Sequence, residues 1–233
     1  FDLIFINARF YLHSLYAARL AKRKGVPCLT VEHGTSHLSV NNKVLDFFGG
    51  VLEHIITAVL KRYCHNYYGV SESACEWSGH FGIKSKGTLY NTVDADEIEE
   101  LLKGENRSFR KEYGISDDCK IITFTGRLLK EKGLYELLEA KSNLQCKNCK
   151  LLIAGVGPLQ KGIESLSRDD VIYLGRLEFN DVIALLKESD IYCLPSYSEG
   201  MSTSVLEAVA AHCFVITTQN GGAKELITSD EYG

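Results

Sequence analysis

Short runs of β-branched and aliphatic residues alternate with longer stretches of helical periodicity along almost the whole chain. That alternation confines the fold to α/β architectures with parallel sheets. A strand is predicted at Leu3–Ile6 and a helix from about Ser14 to Lys24, which Gly25 stops and Pro27 keeps from resuming. Cys28–Val31 reads as the next strand and opens into a loop at Glu32, His33, Gly34 and Thr35. A helix over Phe47–Tyr63, a short strand near Tyr67–Val70 and a helix capped around Ser71 follow. Between Val93 and Asp118 the chain turns polar and turn-rich, which reads as a linker. Residues 1–105 are therefore expected to form one domain and 106–233 a second. In the second, strands are predicted at Ile121–Thr125, Leu151–Ala154, Val171–Leu174, Ile191–Leu194 and Phe214–Thr217, with helices between them. This order suggests a doubly wound sheet, which binds ligands at the carboxyl ends of its strands.

Charge and apolar patterning narrow the function. A formal net charge of −4 provides no broad basic field, so nucleic acid is not an expected partner. The apolar run Phe47–Leu60 is interrupted by Glu53 and His54 and is too short to cross a bilayer. Phe48, Leu52, Ile55, Ile56 and Val59 recur at helical spacing, which predicts an amphipathic helix facing the core. The eight cysteines are scattered, and Cys28, Cys193 and Cys213 sit in apolar strand-like runs, so a reducing cytoplasm is the expected compartment. Cys146 and Cys149 form a lone CxxC without the second pair that a metal site needs. His54 and His65, read as helical, are expected to be structural or surface residues. The only methionine is Met201 and Phe1 falls in mid-strand, so the chain reads as a piece of a longer protein with its first domain incomplete.

Three loops after predicted strands carry the chemistry. In the first, Gly126 permits a sharp turn while Arg127 and Lys132 place two cations near a helix start, a combination suited to phosphate or to a solvated basic loop. The second, Gly155 to Pro158, lacks the third glycine and the later acid of a dinucleotide fingerprint. In the third, Gly200, Met201 and Ser202 precede a helix whose first N–H groups are unpaired, with Glu199 before them and Glu207 a little over one turn inside. Asp94 and Asp96 have the letters of a metal-binding pair but sit where a helix begins, and they read as a cap.

The stretch Ser198–Glu207 resembles the E-x7-E signature of glycosyltransferase family 4, the retaining enzymes of the group 1 type with the GT-B fold. Gly126-Arg127 with Lys132-Gly133, Leu152–Pro158, Tyr173–Arg176, Ser189–Ser196 and Gly221-Gly222 with Glu225 fall in the family's order. In the first domain, Glu32–His37, Val70–Glu72 and Tyr90–Asp94 are similar to the family's histidine loop and the stretch before its linker. The fold implied is GT-B, with two Rossmann-like doubly wound parallel-sheet domains.

By that resemblance Arg127 and Lys132 would bind the donor's diphosphate and stabilise the leaving nucleoside diphosphate, and Glu207 would hold the ribose. Glu199 would contact the donor sugar, with backbone N–H groups of Gly200, Met201 and Ser202 holding sugar hydroxyls or phosphate. Gly126 belongs to the donor site, Gly175 and Arg176 would touch the base, and His33 would face the cleft beside the sugar. Fixed cations aimed at a leaving diphosphate lower the barrier to breaking the glycosyl–phosphate bond. The implied reaction is a metal-independent, retaining transfer from a nucleoside-diphosphate sugar to a glycan or lipid-linked acceptor in cell-surface polysaccharide or glycolipid biosynthesis. It needs no cofactor, and it would take place in the cytoplasm or at the cytoplasmic face of a membrane, with peripheral association left open. Two other readings stay open: a sugar-phosphate synthase or phosphorylase of the same fold, and a non-catalytic nucleotide-sugar-binding module.

Overall fold

A computed structural model describes residues 1–39, 42–104, 107–146 and 148–229. The expected domain boundary at 105/106 lies outside the described residues, as does Lys147 of the CxxC loop. The chain divides into two compact units. The first comprises Phe1–Asn91 with Ser198–Met201 and Asn220–Leu226, the second Thr92–Tyr197 with Ser202–Gln219 and Ile227–Gly233.

The first unit holds a three-stranded parallel sheet of β1 (Ile4–Asn7), β2 (Cys28–Glu32) and β3 (Tyr67–Gly69), in that order. Helix α1 (Leu12–Lys24) crosses from β1 to β2, burying the small residues Ser14, Ala18 and Ala21. Gly25 ends it in a left-handed conformation (φ 67°), as the sequence predicts. Helix α2 (Lys43–Leu60) starts where the Asn42 side chain accepts hydrogen bonds from the N–H groups of Val44 and Leu45. Helix α3 (Glu72–Gly79) is capped by Ser71, whose hydroxyl accepts from Ala74 N at 3.1 Å.

The face that α2 buries corrects the expectation from its spacing. Ile56 is buried, but Phe48, Leu52 and Ile55 are 63%, 54% and 56% exposed. The helix turns Glu53, Ile56, Thr57 and Leu60 inward instead. Glu53 explains the rotation, because its carboxylate is needed inside. It lies 3.8 Å from Arg9 Nη2 and accepts hydrogen bonds from Leu38 N (3.1 Å) and His37 Nδ1 (2.8 Å). Arg9 is 1% exposed, pairs through Nε with Glu32 at 3.0 Å, and stacks its guanidinium 3.5 Å over the Phe81 ring. The Nε–Glu32 contact is a charge pair without hydrogen-bond geometry, and Arg9 Nη1 has no hydrogen-bond partner among the described residues. Burial lowers the pKa of Arg9 and raises that of Glu32, with each partner's charge opposing the shift.

The second unit begins with α4 (Ala95–Lys103), capped by Asp94, whose carboxylate accepts from Glu97 N at 3.0 Å. The short α5 (Phe109–Glu112) follows. The core is a five-stranded parallel sheet of β4 (Lys120–Thr125), β5 (Cys149–Ala154), β6 (Val171–Gly175), β7 (Ile191–Leu194) and β8 (Phe214–Thr217). Helices α6 (Leu134–Asn143), α7 (Gln160–Ser165), α8 (Phe179–Lys187) and α9 (Thr203–Ala210) connect the strands. The last helix, α10 (Ala223–Leu226), packs with the first unit. Strand order is β6-β5-β4-β7-β8, so the chain reverses direction across the sheet between β4 and β7, the doubly wound pattern. Leu151, Leu152 and Ile153 in β5 are fully buried, as an unbroken apolar run covered on both sides must be. Each such side chain contributes about 1.5–3 kcal/mol relative to exposure.

Two glycines hold the loops at the carboxyl edge of this sheet against one another. Gly133 has φ 69°, and a Cβ there would come within 2.0 Å of the Pro195 carbonyl oxygen after β7. Gly155 has φ 143°, and its Cβ would meet the Gly126 carbonyl oxygen at 1.8 Å. Gly25 has a similar φ of 67° with nothing within 4 Å, so it isolates the conformational cost from the steric one. Gly25→Ala should lower stability by about 1–2 kcal/mol. Gly133→Ala should cost clearly more, because backbone must move as well. Urea unfolding of the two variants measures the difference.

Candidate functional site

The second unit presents the ends of β4, β5 and β6 as a depression of about 270 Å³. Gly126, Arg127, Gly155 and Arg176 line it, with Val156 and Leu177 as apolar walls. Gly126 N donates to Ala154 O at 3.1 Å and Gly155 N to Gly175 O at 2.7 Å, so the three strand ends are stitched together beneath it. Tyr173 adds a hydrogen bond from its hydroxyl to Gly155 O at 2.9 Å, which nothing in its sequence context announces. Arg127 is exposed, and Arg176 has only Glu178, 3.8 Å away, as an acidic neighbour among the described residues. Two arginines thus line one depression. Gly175, with φ 71°, forms the turn that brings Arg176 to it. A larger depression, about 420 Å³, involves Arg107, Arg110, Glu188 and Asp190. Its charges are already paired, Arg107 with Glu112 and Asp181, and Arg110 with Asp190.

Lys132 is half-buried at the end of a 3-10 turn, Lys130–Lys132, just before α6. The neighbouring residue Glu131 accepts a backbone hydrogen bond from Tyr197 N at 2.8 Å, which ties this turn to the loop after β7. No side chain among the described residues caps α9, because the hydroxyl of Ser202, its N-cap, lies 3.0 Å from that of Ser204 instead. The first N–H groups of α9 are therefore left without a side-chain acceptor. Glu207 lies on the second turn of α9, half-buried, and its carboxylate has no hydrogen bond or ion pair among the described residues. Burial alone raises its pKa. An unpaired, half-buried carboxylate destabilises a protein, and such groups are commonly kept for a ligand.

The remaining residues of the E-x7-E stretch belong to the first unit. Thr35 Oγ1 donates to Glu199 O at 2.8 Å, and the Ser198 hydroxyl lies 3.2 Å from that of Thr35 and 3.0 Å from that of Ser36. Gly200 packs so closely that a Cβ would fall 2.0 Å from His33 O. Asn91 Nδ2 donates to Met201 O at 2.8 Å, and Gly222 N donates to Gly200 O at 2.7 Å. Glu225 accepts from Glu72 N through both oxygens, at 2.9 and 3.1 Å, and so caps α3. His33 Nε2 lies 3.1 Å from Asn7 Oδ1. With the amide oxygen accepting, Nε2 carries the proton and Nδ1 is left as an acceptor. Partial burial of the ring lowers its pKa, which favours neutral imidazole at pH 7.

The structure therefore gathers Gly126, Arg127 and Arg176 around one depression, with Gly175 at its turn. Lys132, Ser202 and Glu207 stand on the segments that follow β4 and β7 in the same unit. His33, Glu199, Gly200 and Met201 stand in the first unit. A doubly wound sheet with cations and an open helix N-terminus after its strands is an arrangement in which α/β proteins bind phosphoryl ligands. The family model for glycosyl transferases group 1 matches residues 105–233, just over half of the sequence, and the chain belongs to that family. An uncharacterized glycosyltransferase of Methanocaldococcus jannaschii is 34% identical over 152 residues, covering 62% of this chain and 39% of that protein. The N,N'-diacetylbacillosaminyl-diphospho-undecaprenol alpha-1,3-N-acetylgalactosaminyltransferase of Campylobacter jejuni is 28% identical over 192 residues, covering 78% and 50%. The crystal structure of Anabaena HepE in complex with UDP-glucose superposes with a TM-score of 0.75 at 19% identity, over 97% of this chain and 62% of that one. The fold is that of GT-B glycosyltransferases, as the resemblance implies. The chain spans less than two thirds of the length of each of these proteins.

Glu207 yields a prediction that depends on pH. Because burial raises its pKa, the folded state loses stability as pH rises through the carboxylate range toward neutrality, and the loss persists above it. Glu207→Gln should therefore raise the melting midpoint at pH 7 while leaving it nearly unchanged near pH 4. Calorimetric scans at the two pH values check it.

Proposed function

We propose that the chain carries the donor-binding machinery of a retaining glycosyltransferase, which moves a sugar from a nucleoside-diphosphate sugar to a glycan or lipid-linked acceptor in polysaccharide or glycolipid assembly. The observation that carries this reading is Glu207, a half-buried carboxylate without a partner among the described residues, on the helix that follows the switch-point strand β7. At the ends of β4 and β6 of the same sheet, Arg127 and Arg176 line one depression. A nucleoside diphosphate complements both features: ribose hydroxyls donate to the carboxylate, and phosphate oxygens accept from the cations and the open N-terminus of α9.

Each residue then has a physical task. Arg127 and Lys132 neutralise the charge that grows on the diphosphate as the glycosyl bond breaks. Gly126, Gly175 and Arg176 form the surface against the nucleoside, and N–H groups of Gly200, Met201 and Ser202 take sugar hydroxyls or phosphate oxygens. Glu199 and His33 are assigned to the donor sugar. Retention of configuration is inferred from the likeness of Ser198–Glu207 to the E-x7-E signature. The UDP-glucose bound by Anabaena HepE and the diphospho-undecaprenol substrate in the name of the Campylobacter protein support the donor and acceptor classes.

A thermal-shift screen against UDP-, GDP- and ADP-sugars tests the reading directly. One base should raise the melting midpoint, and Lys132→Ala should weaken that nucleotide by about tenfold or more. In the full-length enzyme, His33→Ala should lower kcat while nearly preserving nucleoside-diphosphate affinity, which marks an interaction made mainly in the transition state. Calorimetry and steady-state kinetics on the two variants separate the effects. A screen with no stabilising nucleotide sugar refutes the proposal.

Metal dependence gives an independent check. With Arg127 and Lys132 in the role of the counter-charge, turnover by the full-length enzyme should survive EDTA. Activity abolished by chelation and restored by magnesium or manganese would assign that role to an ion.

A further inference from the structure

Apart from the segments assigned to the donor, the first unit brings three histidines together from three separate elements. His37 lies in the loop after β2, His54 on α2 and His80 at the carboxyl end of α3, and one ring nitrogen of each lies within 4.8 Å of those of the other two. We propose that His37, His54 and His80 bind a divalent first-row transition ion, for which zinc is the natural probe.

The orientation of the first histidine supports this. Glu53 Oε2 accepts from His37 Nδ1 at 2.8 Å, which fixes the tautomer and leaves Nε2 as the lone-pair donor. A carboxylate behind a metal-bound imidazole is the usual outer partner of such ligands. Glu53 is itself 6% exposed and anchored by Leu38 N and by Arg9, so His37 is positioned by the core.

The other two ligands can adjust. His54 and His80 are both exposed, and their ring centroids are 5.0 Å apart. Zinc–imidazole bonds of about 2.0–2.1 Å in a tetrahedral site require nitrogens about 3.4 Å apart. Rotation of two surface imidazoles closes the remaining gap, at most about 1.4 Å, while the third stays fixed. Trp77 stacks on His80, with centroids 4.9 Å apart and planes 4° from parallel, and forms an aromatic wall that limits the ways in which that ring can turn. Three imidazoles leave a fourth position open to water, and imidazole ligands suit zinc, copper and nickel.

The test uses untagged protein stripped with EDTA and dialysed, then titrated with zinc against a chromophoric chelator. One zinc per chain should bind with a Kd of about 1 µM or tighter. His54→Ala and His80→Ala should each weaken it at least tenfold, whereas His65→Ala, at an exposed histidine outside the cluster, should leave it unchanged. Circular dichroism confirms that the variants fold. In the unmodified protein, zinc should also shift the imidazole NMR signals of three histidines and raise the melting midpoint. Absence of uptake at about 100 µM zinc, or full affinity in the double variant His54→Ala/His80→Ala, would overturn the proposal.

Discussion

The second unit depends on a contact between main chains. At the carboxyl edge of its sheet, Gly155 lies against the carbonyl of Gly126, and Gly133 lies against that of Pro195. Neither pair leaves room for a Cβ, so the loops after β4, β5 and β7 approach more closely than side chains would permit. Closeness there has two effects. It brings Gly126, Arg127 and Gly155 to the wall of one depression, and it leaves the backbone there little room to shift. Preorganised donors are worth more to a reaction than flexible ones, because they need no reorganisation as charge develops.

Much of this could be read from the sequence, for reasons that differ between residues. The alternation of apolar runs located every strand of the five-stranded sheet within one or two residues, because strands covered on both faces have little freedom in composition. The caps at Ser71, Asp94 and Gly25 were legible because capping is local chemistry. Arg127 and Glu207 stood out through their positions relative to strand ends and a helix start. That Glu207 lacks a partner among the described residues is a tertiary fact, and no sequence pattern carries it.

Helix α2 shows where periodicity misleads. Its apolar spacing fits a buried face, yet Phe48, Leu52 and Ile55 reach solvent because the opposite side carries Glu53 to Arg9. The two charges that interrupt the apolar run, Glu53 and His54, were the available signal. They read as interruptions when one of them in fact fixes the rotation of the helix. The histidines escaped for a related reason. His37, His54 and His80 are spread over more than forty residues, and only the packing of α2 and α3 beside the β2 loop brings them together.

The buried trio of Arg9, Glu32 and Glu53 has a consequence for how this sequence can change over time. Truncating Arg9 strands two carboxylates in the interior, at a cost of about 3–5 kcal/mol, a large share of what a domain of this size can lose, whereas truncating either glutamate leaves Arg9 with one acidic partner. Exchanging all three for apolar groups of matching volume could be neutral, because the desolvation cost disappears with the charges. Loss of Arg9 alone is therefore blocked while the joint step is open. Among homologues, these three positions should vary together or stay fixed, and that covariation would tie the first strand, the second strand and α2 to one another more tightly than their apolar contacts do.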